Sequence, residues 1–148
     1  MDIDLSTFKF SFPIQMRWSD MDPLGHANNG IYVTYFEIAR GKYMIEACPN
    51  WNWEKDMFLI ASVTVDFHRE LLLTAEDAKV HIRTSDIGNK SFVLDYVITS
   101  VKNGETIIHA SGNTTQIMFD MKSRKTIKIP NWVRASLIDF DNVVTDVS

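Results

Sequence analysis

The chain has 148 residues, 45% of them apolar and 23% charged, and its formal net charge is -4, which predicts a single globular domain over residues 1–148. Its basic and acidic residues are interspersed, which argues against a nucleic-acid-binding surface. It has no apolar run long enough to span a membrane and no N-terminal signal peptide, so we expect a cytoplasmic protein.

The first predicted element is a strand over residues 8–18, where apolar and polar side chains alternate. Pro13 within it indicates a sheet edge or a bulge. A polar segment follows over residues 17–31, with the sequence R-W-S-D-M-D-P-L-G-H-A-N-N-G-I. It concentrates carboxylates, an imidazole, carboxamides, a proline and glycines between two apolar-patterned elements. That is the composition of a functional site.

A long helix is predicted next, because apolar residues recur at three- and four-residue steps over residues 31–44. Asn28 or Asn29 can cap its start. Val33 and Ile38 place apolar groups on further faces of this helix. We therefore expect the sheet to enclose it more fully than an ordinary surface helix.

The remainder of the chain reads mainly as β-structure. Alternating runs predict strands over residues 61–68, 78–83, 92–99 and 106–119. Short polar turns separate them, including the hairpin-forming pair Asn103-Gly104, so neighbouring strands should be antiparallel. We expect an α+β fold with a sheet curled around the long helix. A short helix is predicted over 130–140, with Trp132, Leu137 and Ile138 inward, and its end leads into a tail over 141–148.

These elements resemble the hotdog-fold acyl-CoA thioesterases, in the branch related to 4-hydroxybenzoyl-CoA thioesterase. The resemblance is carried by D-M-D-P-L-G-H-A-N-N at residues 20–29 and by the helix motif Y-F-E-I-A-R at residues 35–40, and it extends from about 10 to 140. It implies a curved antiparallel sheet around one central helix. It also implies homodimers whose sheets join edge to edge, with active sites where each long helix begins and against the partner subunit. Many relatives assemble further into tetramers.

The resemblance implies a role for Asp22 as the catalytic carboxylate, either as a general base on water or as a direct nucleophile. Backbone N–H groups near Asn28 and Asn29, at the helix start, then polarise the thioester carbonyl. We expect Asp20 to be structural. For His26 three readings stay open: orienting the aspartate, contacting substrate, or bonding within its own loop.

Substrate contacts are expected from a wider set of residues. This set comprises Gly25, Asn28, Tyr32, Arg69, Lys90 and Ser91. Gly25 lets the loop turn closely past a substrate. For the nucleotide end of coenzyme A we favour the turn bearing Lys90 and Ser91, because lysine meets phosphates as a point charge. Arg69 and the basic cluster over residues 122–125 are the alternatives.

We therefore expect an acyl-CoA thioesterase that needs no cofactor beyond the coenzyme A of its substrate, and no metal. The single cysteine, Cys48, excludes an intramolecular disulfide and is expected to be a buried thiol. Two other functions stay open: a non-catalytic acyl-thioester-binding protein and a hotdog dehydratase acting on a β-hydroxyacyl thioester. Glu37, a helix carboxylate of the kind some other hotdog thioesterases use, is expected to be structural, and its spacing of three residues from Arg40 allows an ion pair.

Overall fold

The computed structural model describes residues 3–144. Its elements are β1 (Phe10–Pro13), α1 (Ile31–Ala47), β2 (Phe58–Phe67), β3 (Glu76–Ile87), β4 (Ser91–Lys102), β5 (Glu105–Asp120), β6 (Lys125–Thr126) and α2 (Asn131–Asp141). All strand pairs are antiparallel, in the order β1-β3-β4-β5-β2, with β6 beside β5. Helix α1 contacts both edge strands, β1 and β2, as well as β3. The sheet therefore curls around α1, as predicted.

Helix α1 packs one side against the sheet and leaves the other side open. Its buried residues are Tyr32, Tyr35, Phe36, Ala39, Arg40, Tyr43, Met44 and Ala47. They recur every three or four residues, so they lie on one face. Ile38 is 55% exposed and Val33 is also exposed. The prediction that the sheet encloses these further faces is wrong, because the sheet covers one side of the helix.

The ion pair that the spacing of Glu37 and Arg40 allows does not form within the described residues. Arg40 is buried instead, and its guanidinium donates to the Tyr96 hydroxyl at 3.1 Å. The guanidinium carbon also lies 5.9 Å from the centroid of the Phe58 ring, and the Tyr96 hydroxyl lies 2.6 Å from that of Thr114. The core therefore contains a hydrogen-bonded polar chain that reaches from the helix to β5.

The first strand is shorter than predicted. Strand β1 ends at Pro13, and the next residue, Ile14, donates its N–H to the Ala78 carbonyl at 2.8 Å. The chain then leaves the sheet, and Trp18 lies in a short 3-10 turn with 83% of its surface exposed. The alternating pattern therefore continues beyond the residues that pair with β3. The edge position that Pro13 indicated is confirmed.

In the second half of the chain the hairpins are confirmed and two details differ. Both residues of Asn103-Gly104 have positive φ, 53° and 76°, as a tight hairpin requires. The two-residue strand β6 was not predicted, because so short a run shows no periodicity. Helix α2 buries Val133 and Leu137, whereas Trp132 is 37% exposed. Of the predicted tail over 141–148, residues 145–148 lie outside the described residues.

Candidate active site

The polar loop before α1 closes into a tight turn that brings Asp22 and His26 together. The Asp22 N–H donates to the His26 carbonyl at 2.9 Å, and the Gly25 N–H donates to the Asp22 carbonyl at 3.0 Å. Pro23 occupies the second position of this turn, where its fixed φ is favourable. Gly25 has φ +86°, a conformation that glycine adopts without steric cost. The local sequence therefore specifies the turn.

Asp22 and His26 form a partly exposed pair at the base of this turn. Oδ2 of Asp22 lies 3.3 Å from Nδ1 of His26, and the two side chains are 21% and 22% exposed. Oδ1 accepts the Leu24 N–H at 2.9 Å. The other neighbour of Nδ1 is the Ala27 carbonyl at 3.4 Å. Nε2 lies 4.0 Å from the Glu70 carboxylate, so both ring nitrogens of His26 face groups that accept hydrogen bonds.

Asp20, two residues earlier, is held by several donors. Its carboxylate accepts the Arg17 N–H at 3.0 Å and the Tyr35 hydroxyl at 2.9 Å, and it lies 3.3 Å from the Arg17 guanidinium. Burial alone would raise the pKa of this carboxyl, but the hydrogen bonds from Arg17 and Tyr35 and the Arg17 charge outweigh it and hold the pKa below its usual value. Asp20 is 3% exposed, which agrees with the structural role expected of it.

Helix α1 starts with a free backbone donor nearby. The Asn28 side chain accepts the N–H of Gly30 at 2.9 Å, and its carbonyl accepts the N–H of Ile31 at 2.9 Å. Gly30 itself occupies the N-cap position without a side-chain hydrogen bond, so Asn28 bonds the residue before the helix. No acceptor for the Asn29 N–H lies among residues 3–144. Such a donor, at the positive end of a helix, can bind a developing oxyanion.

The loop lies against the connection between β2 and β3. His26 forms an antiparallel bridge with Leu72, and the Ala27 N–H donates to the Leu71 carbonyl at 2.7 Å. A cavity of about 230 Å³, which we term the loop cavity, opens between them. Its walls are formed by His26, Ala27, Asn29, Tyr32, Phe67, His68, Arg69 and Glu70.

The loop cavity unites some of the predicted site residues. His26, Asn29, Tyr32 and Arg69 line it, and Asp22 adjoins it through His26. Gly25 and Asn28 shape the backbone around the cavity without lining it. Ala27 lines the cavity without having been predicted as a site residue, and so do three further wall residues, Phe67, His68 and Glu70. These three residues flank Arg69 in the sequence. Their position beside a predicted site residue is the sequence feature that could have indicated them.

Lys90 and Ser91 lie elsewhere in the chain. The Lys90 carbonyl accepts the Met118 N–H at 2.9 Å, and Met118 pairs with Phe58 at the start of β2. The loop cavity lies at the other end of this strand, beside Phe67. A ten-residue strand spans about 30 Å, so these two residues are remote from the loop cavity of their own chain.

Other reactive groups offer no competing site within residues 3–144. Cys48 is buried, and this burial raises its pKa to about 12, which removes it as a nucleophile at neutral pH. No cluster of three or more His, Cys, Asp or Glu side chains among these residues is arranged to hold a metal ion. None of the helices in this range combines the length and apolarity that crossing a bilayer requires.

Comparison with known proteins identifies the family. Residues 16–137 match a family model described as the thioesterase-like superfamily. The chain belongs to this superfamily. It is 23% identical over 127 residues to the long-chain acyl-CoA thioesterase FadM of Escherichia coli (strain K12), a match that covers 84% of this chain and 93% of that protein.

Solved structures of thioesterases share the fold of this superfamily member. A Thermus thermophilus thioesterase complexed with coenzyme A and Zn is 27% identical, with a TM-score of 0.79 over 93% of this chain and 98% of that chain. A 4-hydroxybenzoyl CoA thioesterase mutant complexed with 4-hydroxybenzoyl CoA is 14% identical, with a TM-score of 0.79 over 86% of this chain and 97% of that chain. The hotdog fold, the predicted resemblance and the assignment to the thioester hydrolases are confirmed.

Proposed function

We propose that this protein hydrolyses acyl-CoA thioesters to a carboxylic acid and free coenzyme A, with Asp22 as the essential carboxylate. The observation that best supports this proposal is that the Asn29 N–H and the Asp22–His26 pair lie around one cavity at the start of α1. Acyl-CoA as the substrate class is supported by two relatives, one named as a long-chain acyl-CoA thioesterase and one solved with coenzyme A.

In this mechanism the thioester carbonyl oxygen accepts the Asn29 N–H, and the dipole of α1 stabilises the negative charge that develops there. Asp22 then acts by one of two routes. It attacks the carbonyl carbon to form an anhydride that water cleaves, or it takes a proton from the attacking water. In both, the C–S bond breaks and coenzyme A leaves as a thiolate. The His26 ring, whose Nδ1 lies 3.3 Å from Oδ2 of Asp22, stays beside the carboxylate throughout.

A homodimer through β2 belongs to the same proposal. Strand β2 is an edge strand of ten residues, so its outer backbone groups have no strand partner within the described sheet. Its exposed apolar side chains are Leu59, Ile60, Val63 and Phe67. A long, apolar, exposed edge is a surface that proteins normally pair or cover, and a second copy of β2 would pair it antiparallel.

Such a dimer would also bring Lys90 to a site. Antiparallel pairing about a two-fold axis places the Phe58 end of one β2 beside the Phe67 end of the other. Lys90 and Ser91 lie at the Phe58 end, and the loop cavity lies at the Phe67 end. The turn of one subunit would then serve the cavity of its partner, where Lys90 would meet the phosphates of coenzyme A.

Release of free thiol from acyl-CoAs of increasing chain length tests the activity. We expect Asp22→Asn to lower kcat on the order of a hundredfold or more. Asp139 is an exposed aspartate on α2, and Asp139→Asn should leave kcat unchanged. Unchanged hydrolysis by Asp22→Asn would overturn its role. Tight acyl-CoA binding by the wild type without thiol release would indicate a binding protein, and dehydration of a β-hydroxyacyl thioester with the thioester intact would indicate a dehydratase.

Mixed dimers test the role of Lys90. Co-expressed Asp22→Asn and Lys90→Glu chains would form dimers in which one site has Asp22 from one chain and Lys90 from the other, both intact. We expect these dimers to recover activity that neither homodimer has. If Lys90 served the cavity of its own chain, every site would carry one defect and no activity would return. A monomeric protein in sedimentation analysis would contradict the dimer itself.

A further inference from the structure

Two buried polar side chains lie beneath the connection between β2 and β3. His109 on β5 and Ser100 on β4 are almost fully buried, and Nε2 of His109 lies 2.7 Å from the Ser100 hydroxyl. On the other side of the ring, Nδ1 lies 3.0 Å from the Glu70 carbonyl and 3.3 Å from that of Arg69. The imidazole therefore joins the sheet to the connection.

The partners of His109 define its tautomer. Backbone carbonyls only accept hydrogen bonds, so Nδ1 must carry the proton and donate it to Glu70 and Arg69. Nε2 is then the acceptor, and the Ser100 hydroxyl donates to it. Burial lowers the pKa of His109, which favours this neutral form. The His109 carbonyl adds two bonds, since it accepts the N–H of His68 at 2.8 Å and that of Arg69 at 3.2 Å.

The same connection supports the catalytic loop. One and two residues beyond Glu70, Leu71 accepts the Ala27 N–H at 2.7 Å and Leu72 pairs with His26. The Glu70 carboxylate also lies 4.0 Å from Nε2 of His26. A continuous series of contacts thus runs from Ser100 through His109 and the connection to the Asp22–His26 pair.

Within the connection, Leu71 is fully buried in the core, whereas Arg69 and Glu70 before it are exposed. Arg69 and Glu70 line the loop cavity on one side and a second cavity, of about 610 Å³, on the other. Ser100 and His109 also line the second cavity. Because both residues are exposed, burial does not fix the Arg69–Glu70 backbone, and its position depends on the hydrogen bonds to His109.

We propose that His109, held by Ser100, is a positioning residue for the reaction: it fixes the Arg69–Glu70 backbone, and through it His26 and Ala27, in the geometry that hydrolysis requires. This inference rests on the thioesterase function proposed above. It assigns a role to two residues that touch neither substrate nor the reacting atoms. We term the hydrogen bonds that join Ser100, His109 and the Arg69–Glu70 backbone the tether. Because a displacement of about 1 Å can cost on the order of a hundredfold in rate, loss of the tether would lower kcat with the fold intact.

The variants separate the Nδ1 donor from the rest of the ring. His109→Asn retains a donor near the Nδ1 position, His109→Leu removes it at similar size, and Ser100→Ala removes the group that holds Nε2. His81→Leu is the matched control, because Nε2 of His81 is likewise bonded to a hydroxyl, Thr99 Oγ1 at 2.8 Å. Its ring has no hydrogen bond to the Arg69–Glu70 backbone.

Amide hydrogen exchange of the folded protein tests the tether independently of an activity assay. The exchange rate is measured in peptides that cover residues 24–30 and 68–73. We expect His109→Leu to accelerate exchange in both by at least about tenfold, Ser100→Ala to do so less, and His109→Asn and His81→Leu to leave it unchanged. Unaltered exchange in His109→Leu, or in Ser100→Ala if the leucine variant does not fold, would overturn the tether. So would equal acceleration in His81→Leu.

Kinetics then tests the link to the reaction. We expect His109→Leu to lower kcat on the order of tenfold to a hundredfold with little change in KM, and His109→Asn to restore most of it. A change in KM alone, or full kcat despite accelerated exchange, would overturn the positioning role. If the wild type hydrolyses no acyl-CoA, the proposed function fails, and exchange still decides whether the tether exists.

Discussion

The two halves of the loop before α1 hold their aspartates in opposite ways. In the first half, residues 17–21, Asp20 is buried and its carboxylate accepts bonds from Arg17 and Tyr35. In the second half, residues 22–26, Asp22 is partly exposed and its carboxylate contacts the Leu24 N–H and the His26 ring. The two acids are two residues apart in one short loop.

This difference shows what separates a structural acid from one suited to reaction. A carboxylate surrounded by fixed donors is stabilised in its charged form, and its lone pairs are already engaged. A nucleophile or base needs an oxygen that can approach a substrate atom or a water. Asp20 meets the first description and Asp22 the second. Residues 17–21, which we term the anchored half, thus determine where the loop lies. Residues 22–26, which we term the open half, are available for chemistry.

The largest expected effect is the contrast between Asp20→Ala and Asp22→Ala. Loss of the Asp20 carboxylate leaves the Tyr35 hydroxyl and the Arg17 N–H without their acceptor, which should lower the free energy of unfolding by about 3 kcal/mol or more. The same change at the partly exposed Asp22 should cost less than about 1 kcal/mol. Urea unfolding measures both. Equal losses in the two variants would contradict the division of the loop into an anchored and an open half.

Tyr35→Phe removes one donor to Asp20 and should cost about 1.5–3 kcal/mol, because that hydrogen bond is made to a charged group. The pKa of Asp20 is lowered in the folded protein, so its stabilisation is present above the unfolded pKa and is lost as pH falls through the folded pKa. Without Tyr35 the folded pKa should rise. The loss should begin near the unfolded pKa in both proteins, but in the variant it should be smaller and should end at a higher pH. An acid limb identical to that of the wild type would contradict this assignment.

Sequence predicted the elements and the loop because both are local. The period of α1 and the Asn103-Gly104 hairpin follow from neighbouring residues, and so does the turn at Gly25. The exposure of Trp18 and Ile38 was not predictable, since periodicity reports which side chains are apolar and not what covers them. The role inferred for His109 could not be predicted from the sequence either, because its hydrogen-bond partners are distant in the chain, on β4 and in the connection after β2.

The open half is shaped by backbone conformation, and Gly25→Ala tests this. At φ +86° an added Cβ is strained by about 1–2 kcal/mol, although it would meet no atom within 4 Å. Gly41→Ala is the matched control, because Gly41 lies inside α1 and also has open space around its Cβ. There the change should stabilise by about 0.5–1 kcal/mol. If the two substitutions changed the free energy of unfolding in the same direction, this would contradict a conformational requirement at Gly25.

The smallest effect separates the two contributions of Arg17 to the anchored half. Its guanidinium lies 3.3 Å from Asp20, but the side chain is 72% exposed, so solvent screens the pair and Arg17→Ala should cost only about 0.2–1 kcal/mol. The backbone N–H that donates to Asp20 at 3.0 Å is retained in the variant. The difference from wild type should shrink as salt is raised to about 1 M, where the Debye length is about 3 Å. A salt-independent loss as large as that of Tyr35→Phe would mean that the guanidinium, and not the backbone and the tyrosine, anchors the loop.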